Sequence, residues 1–326
     1  MKTTTSLTSA SGSHTRLHPL LFLGCLFGVF LLMQSCVRES TGDCTTYEGT
    51  LRILLPDGND ITSDSTVGTI GVYQFESDGF VRQVPWEKDT VVAIGVETAK
   101  SLALVAWGNL QPDTLQVLPP SVGDSPESAR VSLRKKADGY QFPAPDLFYG
   151  RYEKGVETTR HSPSGSGEVQ PDVAPTRGAQ TQAFSLVMER KVSALSVRIF
   201  HPAEHFGGTS GNLRLLVRGT CASLNFRGEP MDGTAVYAPS LQAVAGADEW
   251  STSLFRIFPT PANGGMSLEL YHNDELVLTV TVDDEGNLLQ AVPGKEIYVT
   301  VDFRYSRLYV GVEVKPWGST EQEVTL

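Results

Sequence analysis

Apolar and polar residues alternate with a period of two along almost the whole chain. Leu51, Ile53 and Leu55 alternate, and Ile70 to Phe75 leads through Ser77-Asp78-Gly79 into Phe80-Val81, a hairpin signal. Val91 to Val96 and Leu102 to Trp107 are apolar stretches of strand length, flanked by Asp89 and by Gly108-Asn109. Val131-Ser-Leu133, Ala137-Asp-Gly139 and Tyr140-Gln-Phe142 suggest a second hairpin. In the C-terminal third, Leu276, Leu278, Val280 and Val282 share one face before the turn Asp283 to Asn287. Ile297 to Phe303 and Leu308 to Val314 repeat the alternation. Such half-buried patterns belong to antiparallel sheets with one face on a core. No long stretch has a helical period, and short helical turns are expected in the loops around Thr114–Leu118 and Pro239–Ala245.

The segment from Arg160 to Gly178 is rich in Pro, Gly and Ser and poor in apolar residues, which predicts a flexible loop or linker. Beyond it, Phe184 to Met188 and Val192 to Phe200 read as strands flanking Glu189-Arg190-Lys191. The expected fold is all-β, two tandem antiparallel β-sandwich domains over 47–189 and 190–326.

The N-terminus departs from this pattern. Lys2, His14 and Arg16 precede fourteen uncharged, mostly apolar residues, Leu20 to Met33, and then Gln34-Ser35-Cys36. A charged region, an apolar region and a small residue before the cut are the parts of a secretion signal over 1–35. A cysteine directly after the small residue makes it a lipoprotein signal, cut between Ser35 and Cys36, with Cys36 as the acylated N-terminus. Met33 stands where a lipobox has Leu. Cys25 has too short an apolar run before it to compete, and a spanning helix needs roughly 20 apolar residues. An ordinary cleaved signal with a chance cysteine is the alternative. Position two of the mature chain is Val37, not Asp, so nothing there argues for inner-membrane retention. Residues 36–46 are polar and read as a tether off the membrane.

Removal of 1–35 leaves 291 residues and shifts the net charge from −11 to −13. An acidic chain without a basic block argues against nucleic acid, whose binding rests on Lys and Arg neutralising phosphates. Cys44 and Cys221 remain beside Cys36. Two distant cysteines are no disulfide framework, so independent thiols are the favoured reading and a bridge stays open.

Candidate chemistry is sparse. His201-Pro-Ala-Glu-His205 fits H-x-x-E-H, a zinc-peptidase pattern that needs both imidazoles on one helical face. Here the segment sits between Phe200, a strand end, and Gly207-Gly208, leaving room for one helical turn started by Pro202. A loop between strands is the working assumption. The acidic turns Asp57-Gly-Asn-Asp60 and Asp283 to Asn287 lack calcium-loop spacing and suit turns on backbone grounds. Ser164-Gly-Ser-Gly167 lacks the strand–turn–helix setting of a nucleophile elbow. Trp86, Trp107, Trp250 and Trp317 are read as packing residues, with a sugar platform as the alternative. The expectation is a protein that is not an enzyme and has no catalytic residue, cofactor or metal.

Four elements, in order and spacing, resemble the fimbrium anchoring subunits of Bacteroides-type bacteria. They are Ser35-Cys36 followed by Cys44 and a first strand; Ala106-Trp-Gly-Asn109; Leu186-Val-Met-Glu-Arg-Lys-Val-Ser-Ala-Leu-Ser-Val-Arg-Ile199; and Gly294 to Val301 with Val310-Gly-Val-Glu-Val-Lys-Pro-Trp317. The resemblance covers nearly the whole mature chain. It implies transthyretin-like sandwiches, a Cys36 carrying N-palmitoyl and S-diacylglycerol groups, and a surface-exposed lipoprotein of the outer membrane. It also implies that the chain holds a fibre to the cell and limits its length, its partner a stalk subunit joined by strand exchange. Ile297–Phe303 and Leu308–Val314 are candidates to give a strand, although ordinary core strands look the same and are favoured. An accessory or tip adhesin and a glycan-binding surface lipoprotein are the competing readings. Arg160 and Arg177 lie where a trypsin-like protease could cut.

Overall fold

The computed structural model describes residues 44–55, 57–65, 67–86, 91–97, 100–154, 180–181, 184–207, 211–304 and 309–317. Ser35, Cys36, the rest of the signal and tether up to residue 43, Ser164–Gly167 and the 160–178 segment with both of its arginines lie outside them.

The largest sheet runs β3 (Gly79–Val84), β2 (Ile70–Glu76), β5 (Leu102–Gly108), β8 (Phe148–Lys154), β10 (Phe184–Arg190), β1 (Cys44–Leu54), β4 (Val91–Glu97), with β9 (Gln180–Thr181) also on β1. The hairpin β2–β3 turns at Ser77 and Asp78, whose φ values of 48° and 66° match the twist of the flanking strands. Strand β1 begins at Cys44, inside the segment read as tether, and pairs antiparallel with β4 over Cys44–Thr50.

Strand β5 does not alternate because both of its faces are covered. Ala103, Val105 and Trp107 join one core cluster with Phe75, Leu115, Tyr149 and Phe226. Leu102, Leu104 and Ala106 join a second with Ile53, Val72, Ile94, Leu186 and Met188. A strand buried on both sides reads as a continuous apolar run. The backbones are tightly packed there: a Cβ on Gly150 would lie 2.8 Å from both Met188 Sδ and the Val187 carbonyl oxygen.

A second sheet runs β15 (Leu241–Ala243), β16 (Glu249–Thr252), β11 (Ser193–Phe200), β20 (Lys295–Asp302), β21 (Tyr309–Pro316), with β17 (Phe255–Ile257) also on β11. A third runs β14 (Thr234–Tyr237), β12 (Leu213–Cys221), β18 (Ser267–His272), β19 (Glu275–Val280). Their inner faces meet through Val197, Ile199, Leu215, Leu270, Val299 and Val301. The space left between these side chains, about 10 Å³, is at most the size of one water, so the interface is closed and apolar. Most neighbours are antiparallel, but β1 pairs parallel with β9 and β10, and β11 with β20. Parallel pairs need long crossovers, which side-chain alternation does not reveal.

Three expectations change. The Thr114–Leu118 and Pro239–Ala245 regions hold strands β6 (Leu115–Leu118) and β15, not helical turns. Their residues bond across to β7 (Arg130–Leu133) and β16, and pairing overrides weak local preference. The hairpin about Ala137–Gly139 forms in a shifted register: Lys136 N–H bonds to the Tyr140 carbonyl at 2.7 Å and Phe142 N–H to the Arg134 carbonyl at 3.0 Å, so Tyr140 to Phe142 pair with Arg134 to Lys136 and not with Val131 to Leu133. Instead β7 lies between β6 and β13 (Ser223–Asn225), a three-stranded sheet drawn from both sides of residue 190. The first core cluster likewise draws buried residues from both sides of residue 190, from Tyr73 to Phe303.

Candidate functional site

The chain enters the fold through β1, whose Tyr47 and Glu48 backbones pair with β4 on one edge and β9 on the other, before Leu51–Leu54 pair with β10. A strand held on both edges must shear whole ladders of hydrogen bonds before it leaves the sheet.

At the far end of β5 the chain assembles a polar hub. Asn109 adopts φ 62°, a left-handed conformation that Asn tolerates better than most residues. Its Oδ1 accepts from Gly68 N–H at 2.7 Å, and its Nδ2 donates to the Asp146 carbonyl at 2.8 Å. The Asp146 carboxylate accepts from Arg190 Nε at 2.6 Å and from Nη2 at 2.9 Å. The Arg190 guanidinium also lies 4.3 Å from the Trp317 ring centre and 5.0 Å from that of Phe148. Planar guanidinium suits both the fork and the stack. Thus Asn109 on the Asp146 carbonyl, Arg190 on its carboxylate and Trp317 against the Arg190 guanidinium, from three of the four motifs that carried the resemblance, meet around one residue. Asp146 was not foreseen. Its only sequence signal is the Pro143-Ala-Pro145-Asp146 turn composition before a strand.

The two candidate strands take different positions. β20 is internal, flanked by β11 and β21, with Ile297, Val299 and Val301 buried. It is a core strand, the reading favoured from sequence. β21 is the last strand of its sheet, and Tyr309 and Val314 are about half exposed (51% and 48%) while Val310 and Val312 pack partly on the core. On its outer edge Val312 N–H donates to the Asp284 carboxylate at 2.9 Å. Leu276 on edge strand β19, with Val282 and Leu288 beyond it, adds further exposed apolar surface.

The H-x-x-E-H segment forms a helix α1 of four residues, Pro202–His205. His201 precedes it at φ 57° with Nδ1 3.1 Å from Asp302 Oδ1, while the His205 ring lies 4.7 Å from that of Phe303. His201 is outside the helix, so the two imidazoles do not share a helical face. No group of metal-holding side chains occurs among the described residues. The acidic turns use their carboxylates locally. Asp57 accepts from Asn59 N–H, and Asp283 accepts from the N–H groups of Glu285 and Asn287. Bonds from the Thr62 hydroxyl and amide, then from Arg52, lower Asp60 to about 2. Trp107 is fully buried, Trp86 packs on the second cluster, and Trp250 and Trp317 pack on the first. Cys221 is a free thiol, buried, and burial pushes it up to about 12.

Comparison with known proteins adds direct evidence. The chain is 21% identical over 315 residues to the major fimbrium anchoring subunit FimB of Porphyromonas gingivalis, covering 90% of this chain and 92% of that one. The fimbrial anchor protein Mfa2 of Porphyromonas gingivalis shares the fold with a TM-score of 0.59 at 12% identity, over 84% of this chain and 98% of that one. A putative adhesin from Bacteroides ovatus matches with a TM-score of 0.54 at 13% identity, over 87% and 98%. The model for fimbrillin-A associated anchor proteins Mfa1 and Mfa2 matches residues 40–323. The chain therefore belongs to the Mfa2 family of fimbrial anchor proteins.

Proposed function

We propose that this chain is the base of a surface fibre, held to the outer membrane by lipid on Cys36 and joined to a stalk subunit through an open sheet edge. The observation that carries the reading is the family match, which extends over nearly the whole chain and is seconded by a full-length relative described as an anchoring subunit. In this reading 47–189 and 190–326 are two transthyretin-like sandwiches packed through a shared core. β21 is the edge that meets the stalk, because an incoming strand takes the place of the Asp284 carboxylate on Val312 N–H, pairs with the outward N–H and C=O groups beside it and covers Tyr309 and Val314. With one such edge engaged and the lipid at the other end, the fibre stops growing at the cell, which limits its length.

Replacing Cys36 by Ala is the test. The protein is then still made and exported, and fibres accumulate in the medium. Fibres that stay on the cells would sink the reading. The fold shared with the Bacteroides ovatus protein supports a second reading, an accessory or tip adhesin. Immunogold images separate the two: label at the cell-proximal end is expected of an anchor, label at the distal tip of an adhesin.

A further inference from the structure

A cleft of about 470 Å³ opens beside the Asn109–Asp146 hub, lined by Ser65, Asn109, Gln111, Thr114, Asp146 and Arg256. That volume is within the range of small-molecule sites, roughly 300–1,000 Å³. Its walls are tied together. Arg256 sits on β17, paired with Ala194 of β11, and its carbonyl accepts from Ala144 N–H at 2.9 Å. Asn109 bonds to both Gly68 and Asp146, as described above.

The charges in the cleft are unbalanced in one respect. Both Asp146 oxygens are taken by Arg190. Among the described residues Arg256 has no carboxylate partner, and its guanidinium lies 5.8 Å from the centre of the Trp317 ring. Every other part-buried arginine among the described residues has an acidic partner. Arg151 pairs with Glu153, Arg190 with Asp146, Arg214 with Asp274, Arg218 with Glu269 and Arg227 with Glu127. Among the described residues Arg256 Nε and Thr114 Oγ1, like Arg151 Nε, are moreover buried and without a hydrogen-bond partner. In a strongly acidic protein, an unpaired guanidinium fixed in a wall with neutral donors around it is suited to an acceptor supplied from outside.

We propose that this cleft binds the carboxylate of a small polar ligand, with Arg256 as the charge-recognising residue. The inference does not depend on the anchoring reading, since it rests on the cleft and its unpaired donor alone. Two sources share the chemistry: an acidic sugar, or an acidic amino-acid side chain. The full-length protein in detergent is titrated by calorimetry with glucuronate against glucose, and with N-acetyl-glutamic acid α-amide against its glutamine counterpart. At least one acid is expected to bind at least about tenfold more tightly than its neutral counterpart, the size of one charge-assisted hydrogen bond. Which acid binds identifies the source. Arg256→Gln is expected to weaken that binding by about tenfold with an unchanged melting curve. Should this variant not fold, Arg256→Lys keeps the charge, loses the planar fork, and is expected to show an intermediate affinity. Acids binding no better than their neutral counterparts, or a folded Arg256 variant binding as the wild type does, would overturn the proposal.

Discussion

Arg190 holds Asp146 by two hydrogen bonds from the edge of its guanidinium, of 2.6 and 2.9 Å, while the guanidinium also lies 4.3 Å from the Trp317 ring centre. Asp146 precedes β8, Arg190 ends β10 and Trp317 follows β21, so a single side chain ties together three distant stretches of chain.

Removing Arg190 leaves the Asp146 carboxylate, 17% exposed, without its cation and exposes the Trp317 ring. Arg190→Ala is expected to cost about 2–4 kcal/mol, below the figure for a fully buried pair because water still reaches both groups. Arg190→Lys recovers less than half of the loss, since an ammonium reproduces neither the fork nor the stack. Urea denaturation of the two variants measures both values, and equal stability of Lys and Ala with the wild type would refute the role.

Gly150 is a steric requirement of the double-faced sheet. A Cβ there meets the Val187 carbonyl oxygen as well as the Met188 sulfur at 2.8 Å. Gly150→Ala should destabilise by about 1–3 kcal/mol through strand separation. Shortening Met188 in the same chain does not restore stability, because the backbone oxygen remains. Thermal melting of the single and double variants checks this.

Stability falls in acid partly through Asp60. Bonds from Thr62 and then from Arg52 lower its carboxyl from 3.8 to about 2 in the folded protein. A depressed folded value means the unfolded chain binds the proton more readily, so the contribution is complete above pH 3.8 and is lost as pH falls towards 2. Asp60→Asn is therefore expected to be less stable than the wild type at pH 6, with the gap closing as the pH falls to 2. A gap that stays constant between those pH values would contradict the assignment.

Cys221 should be inert in the native state. It is fully buried and its thiol is pushed up to about 12, so neither access nor thiolate is available near neutrality. Iodoacetamide at pH 8 followed by peptide mass spectrometry is expected to leave Cys221 unmodified in folded protein and to alkylate it fully in urea.

The proposed stalk contact has its own test at β21. Val314 is half exposed on an edge strand, so Val314→Lys changes stability by less than about 0.5 kcal/mol yet places a charge where an added strand would lie. Capture of stalk subunits from membranes is expected to drop, with melting unchanged. Undiminished capture would move the contact elsewhere.

Much of this protein is legible in local pattern. Two-residue alternation marked most of the longer strands and Ser77-Asp78-Gly79 marked a hairpin, whereas the one-turn helix Pro202–His205 stands where the working assumption is a loop between strands. The alternation and the hairpin signal follow from the geometry of neighbouring residues and need no knowledge of what lies across the core. The signal pattern ending at Cys36 is local in the same sense, a matter of charge and hydropathy in one short segment.

Tertiary structure alone decided which strands pair, and therefore where the polar residues meet. Alternation says which face of β1 or β11 is buried but not that each takes a parallel partner from far along the chain. The unbroken apolar run of β5 reflects a second core on its other face, which the run itself does not locate. Asn109, Arg190 and Trp317 were visible as scattered motif residues. Their convergence on Asp146, and the lone guanidinium of Arg256 beside them, depend on chain crossovers, and a hydrophobic period carries no information about crossovers.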